Sequence, residues 1–287
     1  AGCMIRDHTI YEAQPTLPNN HHSLLRFRSS VVGDTLNIPF RRVKVMKAVH
    51  PYRNPVADQL AYSTKSNGTA RIRSAISAAG EVEDRYIAPP DLIKRMAKMC
   101  SIQFYRRVSE SDLGDACIST IPMPILMEML DWKGEAPSFQ SRSGWVLSID
   151  LEGVDVYCTV YDPDPSSPIN RVSITGDHLQ AELSRPSDPF EVVDRALFLL
   201  GLLRNVLSPS FSIDASMIVE QRYAKILPID EDVRKRFIIW ASEEHKVYSL
   251  GRFATWRPGL LLDDVVNDVR VIQRLINGGS SYHHKLR

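Results

Sequence analysis

The sequence has no CxxC pair, and its four cysteines (Cys3, Cys100, Cys117 and Cys158) are scattered along 287 residues. That argues against a disulfide scaffold or a zinc ribbon and leaves free thiols in a reducing compartment as the expectation. No stretch reaches the ~18 consecutive apolar residues of a membrane-spanning helix, and the first residues lack the pattern of a secretory signal. A cytoplasmic location without a membrane partner is therefore expected. GxSxG, a Walker glycine loop and HExxH are all missing, so standard hydrolase, NTPase and zincin chemistry has no support. The eight histidines include two adjacent pairs, His21-His22 and His283-His284, in loop or terminal settings. Neither pair is spaced like a ligand set on a helix, and no metal is expected.

What is present is an ordinary globular composition, 44% hydrophobic and 24% charged, in a chain long enough for one large domain or two smaller ones. The net charge of +1 hides an asymmetry. Residues 1–110 carry 17 Lys/Arg against 9 Asp/Glu, and the remainder carries 18 against 25. A basic half suits an anionic ligand, a nucleotide-linked substrate or nucleic acid, the last through Arg26, Arg28, Arg41, Arg42 and Lys44. The other reading is that the two halves neutralise each other.

The pattern along the chain is α/β at both ends with antiparallel strands between. HTIYEA (8–13) is a short strand ending in the carboxylate Glu12. Arg41–Val45 alternates like a strand with a basic face, whereas 54–84 is polar and reads as a peripheral segment with a turn at Lys65-Ser66-Asn67-Gly68. Asp91 is placed to cap a helix from Leu92 to Cys100, and SIQFYRRV (101–108) follows as a strand. DACISTIP (115–122) is an apolar strand stopped by Pro122, with the helix ILMEML behind it. The period-two run 145–162 breaks at Glu152-Gly153, and 171–175 pairs with 178–183 across the turn Gly176-Asp177. A helix apolar nearly all round covers 191–207, and another runs from Asp230 to Ser242.

The most specific stretch is YSLGRFATWRPGLLLDD (248–264), a strand, a Gly-Arg turn, Pro-Gly, and a helix start. A helix start leaves four backbone N–H groups without intrahelical partners, and its dipole favours negative charge. Gly259 permits close backbone approach. Leu260–Leu262 suit a flat apolar ring better than a phosphate, and a reduced flavin fits, since its charge sits at one edge of an apolar heterocycle. The alternative is a helix capped by its own Asp263 or Asp264 and packed by its leucines.

This stretch resembles the C-terminal flavin-contacting segment of the FAD-dependent oxidoreductases that include amine oxidases, protoporphyrinogen oxidases and UDP-galactopyranose mutases. Gly251-Arg252 and Leu261-Leu262-Asp263 sit at the matching places. HTIYEA resembles the second Rossmann strand, whose terminal acid, here Glu12, would hold the adenosine ribose. PPDLIKRMAKMCSIQFYRRV resembles the unit that returns to the FAD domain, with Val108 at the adenine. DACISTIPMPIL is similar to the family's apolar strand and Thr-x-Pro segment, with Thr120 in that position. The resemblance spans about 1–13, 89–130 and 240–277. The family's GxGxxG loop is not found in the sequence; Ala1-Gly2 matches only its tail, so Gly2 is the expected remnant, and either the loop lies upstream of Ala1 or the flavin site is degraded.

The resemblance implies a Rossmann-like FAD-binding domain from 1–58, 89–131 and 240–287, a peripheral segment at 59–88, and an inserted antiparallel β-rich substrate domain at 132–239. It implies FAD as cofactor and hydride transfer from a C–N or C–C bond to flavin N5, with reoxidation by oxygen. Arg171, Tyr223, Trp256 and Arg252 are the candidates for substrate contact, each with a plain alternative: Arg171 as an ion pair with Asp162 or Asp164, Trp256 as a core plug. Two other readings are carried forward: a redox-neutral flavin mutase acting on a nucleotide sugar, and a non-catalytic flavin-fold remnant that binds nucleic acid or a protein.

Overall fold

The computed structural model describes residues 8–17, 26–50, 54–70, 81–113, 116–202 and 217–278. In chain order the elements are β1 (Thr9–Tyr11), β2 (Arg26–Phe27), α1 (Val31–Leu36), β3 (Arg41–Val49), α2 (Pro55–Asn67), β4 (Glu81–Ile87), α3 (Leu92–Lys98) and β5 (Ser101–Gln103). Then come β6 (Cys117–Ser119), α4 (Met123–Met129), β7 (Ser141–Asp150), β8 (Val156–Tyr161), β9 (Ile169–Gly176) and β10 (His178–Leu183). The last elements are α5 (Pro189–Leu200), β11 (Ile218–Ile226), α6 (Glu231–Glu244), β12 (Val247–Ser249) and α7 (Leu262–Gly278).

Eight strands form one sheet in the order β11-β7-β10-β9-β8-β3-β4-β2, antiparallel except for the β3–β8 pair. The β9–β10 hairpin closes at Gly176-Asp177 as the sequence predicts, with His178 opposite Thr175 and Gly176 at φ 71°. One face of the sheet is apolar. Cys158, Ile174, Leu179 and Ile149 lie in one register row, and Val160, Val172, Ala181 and Leu147 lie in the next. Helix α5 lays Val192, Val193, Ala196, Leu197 and Leu199 on these rows. Each fully buried aliphatic side chain contributes roughly 1.5–3 kcal/mol, so this contact anchors the sheet.

Two short parallel pairs stand apart from the large sheet, β1 with β5 and β6 with β12. The second pair carries its own core: Met123, Leu126 and Met127 of α4, Phe237 and Ala241 of α6, and Val269, Ile272 and Leu275 of α7. The buried positions of α7, Val266, Val269, Ile272 and Leu275, recur at the three-residue spacing of one helix face.

Three expectations are corrected. The stretch 54–84 is not peripheral: it contains the 13-residue helix α2, begun by an Asn54 side-chain cap with Pro55 next to it, and it leads into β4, an interior strand of the sheet. Its polar sequence reflects one-sided packing, and Gly68 (φ 74°) ends the helix rather than making a free turn. Asp91 precedes α3 but makes no cap; its carboxylate takes Arg95 at 2.8 Å instead. Helix α5 stops at Gly201 (φ 65°) and is buried on one side only, with Phe190 and Phe198 exposed. Three strands of the large sheet, β2, β3 and β4, come from outside 132–239. Gly2, the histidine pairs His21-His22 and His283-His284, and residues 203–207 lie outside the described residues.

Candidate functional site

The second face of the large sheet is polar. Register places Lys47, Thr159, Ser173, Gln180 and Ser148 in one row across five strands. Tyr161, Arg171 and Glu182 form the next row, and Arg85 and Glu83 continue the same face on β4. This face is concave. Strand β2 is at the sheet edge, separated from β8 by β4 and β3, which is about 14 Å at the usual strand spacing. Yet the Arg26 guanidinium donates to Thr159 Oγ1 at 2.7 Å and to Thr175 Oγ1 and the Ile174 carbonyl at 2.6 Å. Only a sheet curled over its polar face brings those groups within reach of one side chain.

Helix α2 closes one end of the concavity. Tyr62 meets Tyr161 edge-on at 5.2 Å, and Lys65 Nζ donates to the carbonyls of Asp162 and Asp164 at 3.0 and 2.7 Å. Burial pushes Lys65 down to about 8 against the opposing pull of Asp162 and Asp164. Lys225 of β11 donates to Ser66 O at 2.6 Å, tying the helix end to the far edge of the sheet.

Both edges of the curled sheet also reach the strand–turn–helix segment near the C-terminus. Just after β2, Ser29 donates its backbone N–H to Asp263 Oδ1 at 3.1 Å and its hydroxyl to the same oxygen. At the other edge, Tyr223 of β11 packs against Phe253, with ring centroids 6.5 Å apart. Both edges of the sheet thus touch the 251–263 segment, a juxtaposition no sequence motif announces.

Within that segment Gly251 has φ 88° and Gly259 φ 82°, and open space surrounds the position a Cβ would take at each. Gly251 O accepts from Thr255 N and Oγ1, which makes the turn rigid. Arg252 Nη2 lies 3.4 Å from Leu260 O. At the start of α7 the Leu261 amide is capped by Asp264 Oδ2 at 3.0 Å, so the self-capped reading holds for that one group. The amides of Leu262 and Asp263 find no acceptor among the described residues, and Leu262 is 44% exposed. Two unpartnered N–H groups beside an exposed leucine fit the polar edge of a flat heterocycle.

Thr120 is exposed directly after β6, whose Ser119 carbonyl receives Leu250 N, and Phe253 O accepts from Met123 N. Thr120 and Gly251 therefore leave the ends of adjacent parallel strands. Glu12 leaves the end of β1, with Oε1 accepting from Gln14 N at 2.9 Å and Oε2 without a described partner. Val108 is half-buried in the loop beyond β5. Nothing in the described contacts joins Glu12 and Val108 to the 251–263 segment.

The substrate candidates separate. Arg171 lies on the polar face but is tied to Glu182, whose carboxylate holds the guanidinium protonated; Asp162 and Asp164 pair instead with Arg195. Tyr223 is 64% exposed, available at the site margin. Trp256 is buried, donates Nε1–H to Leu227 O at 2.9 Å and packs on Phe139, which is the core-plug alternative. Its φ of 43° is strained for a tryptophan and is held by that packing. The basic stripe is dispersed: Arg41 meets Tyr157 and Asp155, and Arg42 and Lys44 share Asp84. Sequence reasoning offered Arg26 only as a nucleic-acid contact and missed Lys47, Arg85 and Ser29, because only the curl of the sheet places Arg26 over Thr159 and Thr175. No disulfide holds Cys100, Cys117 or Cys158, and burial pushes the Cys117 and Cys158 thiols up. Among the described residues no helix is long and apolar enough to cross a membrane.

The sequence matches no protein-family profile and no curated protein. Its structure is similar to that of a reduced UDP-galactopyranose mutase, with a TM-score of 0.57 at 14% identity, covering 93% of this chain and 89% of that one. It is also similar to an oxidoreductase from Methanosarcina mazei, with a TM-score of 0.52 at 10% identity over 93% and 94% of the two chains. A third similar structure is a probable FAD-dependent monooxygenase from Pseudomonas aeruginosa, with a TM-score of 0.50 at 10% identity over 95% and 80%. The likeness is one of fold: the chain has a mixed α/β fold shared with flavin-dependent enzymes.

Proposed function

We propose that this chain forms the cofactor and substrate sites of an FAD-dependent oxidoreductase. The observation that carries the reading is the convergence of both edges of a curled, polar-faced sheet on the Gly251–Asp263 segment, where two helix N-terminal amides are open. The fold shared with flavin enzymes supports it.

In this reading Gly251, Arg252, Leu261, Leu262 and Asp263 would hold the isoalloxazine edge, Thr120 would flank it, and Glu12 and Val108 would hold the adenosine end. When bound, FAD accepts hydride from a C–N bond, as in an amine or amino acid, or from a C–C bond, and oxygen reoxidises it. The protein's part is to orient and to exclude water. The open Leu262 and Asp263 amides would offer hydrogen bonds to a carbonyl edge, and Ser29 fixes the Asp263 carboxylate beside them. The concave face, closed at one end by α2, supplies hydroxyls and cations for the substrate, with Arg171 on it and Tyr223 at its margin.

A second reading is a redox-neutral mutase acting on a nucleotide sugar; the cationic concave face and the likeness to the reduced UDP-galactopyranose mutase favour it. Incubation with FAD, gel filtration and an absorption spectrum test the common premise: a yellow protein is expected, and a protein that takes up no FAD overturns both readings. Peroxide release with an amine or amino acid then supports the oxidase, and turnover only after dithionite reduction supports the mutase.

A further inference from the structure

The charge on the concave face is unbalanced. Among the described residues Arg26, Lys47, Arg85 and Arg171 lie on it, and so does Arg41, which stands opposite Ile87 as Arg26 does and meets Tyr157 and Asp155. Glu83 and Glu182 answer Lys47, Arg85 and Arg171, and Asp150 on the same face is taken by His178. Glu83 holds Lys47 at 2.6 Å and also Arg85, and Glu182 holds Arg171. Arg26 meets no carboxylate among the described residues; its bonds go to Thr159, Thr175 and the carbonyls of Ile174 and Cys158. Neutral acceptors satisfy the N–H groups of a guanidinium without cancelling its charge, and a buried charge without a counter-ion is costly. Burial accordingly pushes Arg26 down to about 10, with Cys158 opposing and the like charges of Arg171 and Arg85 adding to the fall. Arg171 Nε is also buried without an acceptor. Around these cations stand the hydroxyls of Thr159, Ser173, Thr175 and Tyr161, and Thr159 and Ser173 are 3.0 Å apart.

We infer that the concave face is an anion site, centred on Arg26, which takes the carboxylate or phosphate group of the substrate. A planar guanidinium ringed by hydroxyl donors and flanked by Lys47 and Arg85 matches such a group in charge and in geometry. The sequence points to Arg171 for this role, but Arg171 already has Glu182, whereas Arg26 meets no carboxylate among the described residues. The inference rests on the proposed function for the statement that the ligand is the substrate; the charge imbalance stands without it.

Titration calorimetry with pyrophosphate and with benzoate, on the protein with and without FAD, tests this. Saturable binding of one anion is expected, weakening as salt rises, roughly tenfold weaker in Arg26→Gln, and not displaced by FAD. Pyrophosphate binding identifies a phosphate-bearing substrate and benzoate binding a carboxylate. Arg85→Gln serves where Arg26→Gln fails to fold, and weaker binding is expected there too. Binding of neither anion, unchanged affinity in the variants, or displacement by FAD overturns the inference. FAD uptake read in the same samples keeps the two questions apart. Flavin binding without an anion effect overturns the anion site alone, and an Arg26-dependent anion effect without flavin supports the site while overturning the flavin reading.

Discussion

Asp162 shows how a single buried charge organises this molecule. Its carboxylate is fully buried at the end of β8 and accepts from Arg195 Nε and Nη2 at 3.1 and 3.0 Å and from Asp164 N at 3.0 Å. Arg195 comes from α5 on the apolar side of the sheet, while Lys65 of α2 reaches the same loop from the polar side. Removing the carboxylate leaves two cations facing each other across one loop. Asp162→Ala is expected to cost about 3 kcal/mol, read as a lower urea midpoint with an unchanged slope. The sequence offered Asp162 as a partner for Arg171, and that pairing fails for a geometric reason. Arg171 sits opposite Tyr161 and Glu182 in register, so its nearest acid is across the β9–β10 pair rather than along the loop.

Among elements, the β3–β4 pair and the β2–α7 junction carry the most consequence. Strands β3 and β4 are linked by charge on both faces: Lys47–Glu83–Arg85 on the concave side, and Arg42 and Lys44 on Asp84 on the other. Burial works to raise Glu83, but Lys47 and Arg85 outweigh it and leave it below its usual 4.5. Hydrogen bonds from Arg42 and Lys44 hold Asp84 below its usual 3.8. A carboxylate depressed by folding stabilises above its unfolded value, and that stability is lost as pH falls through the folded value. The urea midpoint is therefore expected to drop below about pH 4.5, and Glu83→Gln to show a shallower drop from a lower starting point. At the junction, Ser29→Ala deletes one of two bonds to Asp263. A loss of about 1–2 kcal/mol in denaturant unfolding is expected, and on the proposed function a weaker FAD affinity in a fluorescence titration.

At the scale of the whole molecule, the two largest apolar clusters lie on either side of a few specific contacts. The α5-backed sheet and the α4–α6–α7 cluster are distinct apolar groups, linked through Ser29–Asp263 and Tyr223–Phe253. A ligand seated between them stabilises the folded chain by mass action. On the proposed function, FAD at a hundredfold excess over its Kd is expected to raise Tm by roughly 5–10 °C, measured by differential scanning fluorimetry. Local pattern was enough to read β3, β7, β8, the β9–β10 hairpin, α6 and the strand–turn–helix at 247–278, because alternation, turn glycines and caps act over a few residues. It was not enough for α2 and β4, whose polar sequences are half-buried only because the sheet and its loops surround them. By itself, then, the sequence determined β3, β7, β8, the β9–β10 hairpin, the start of α6 and the Gly251 turn, all of which depend on near neighbours. The tertiary structure alone decided that Arg26, Lys47 and Arg85 share one face of the sheet and that Ser29 meets Asp263. Register and sheet curl set which side chains converge, and both depend on contacts between residues as far apart as 26 and 175 or 29 and 263.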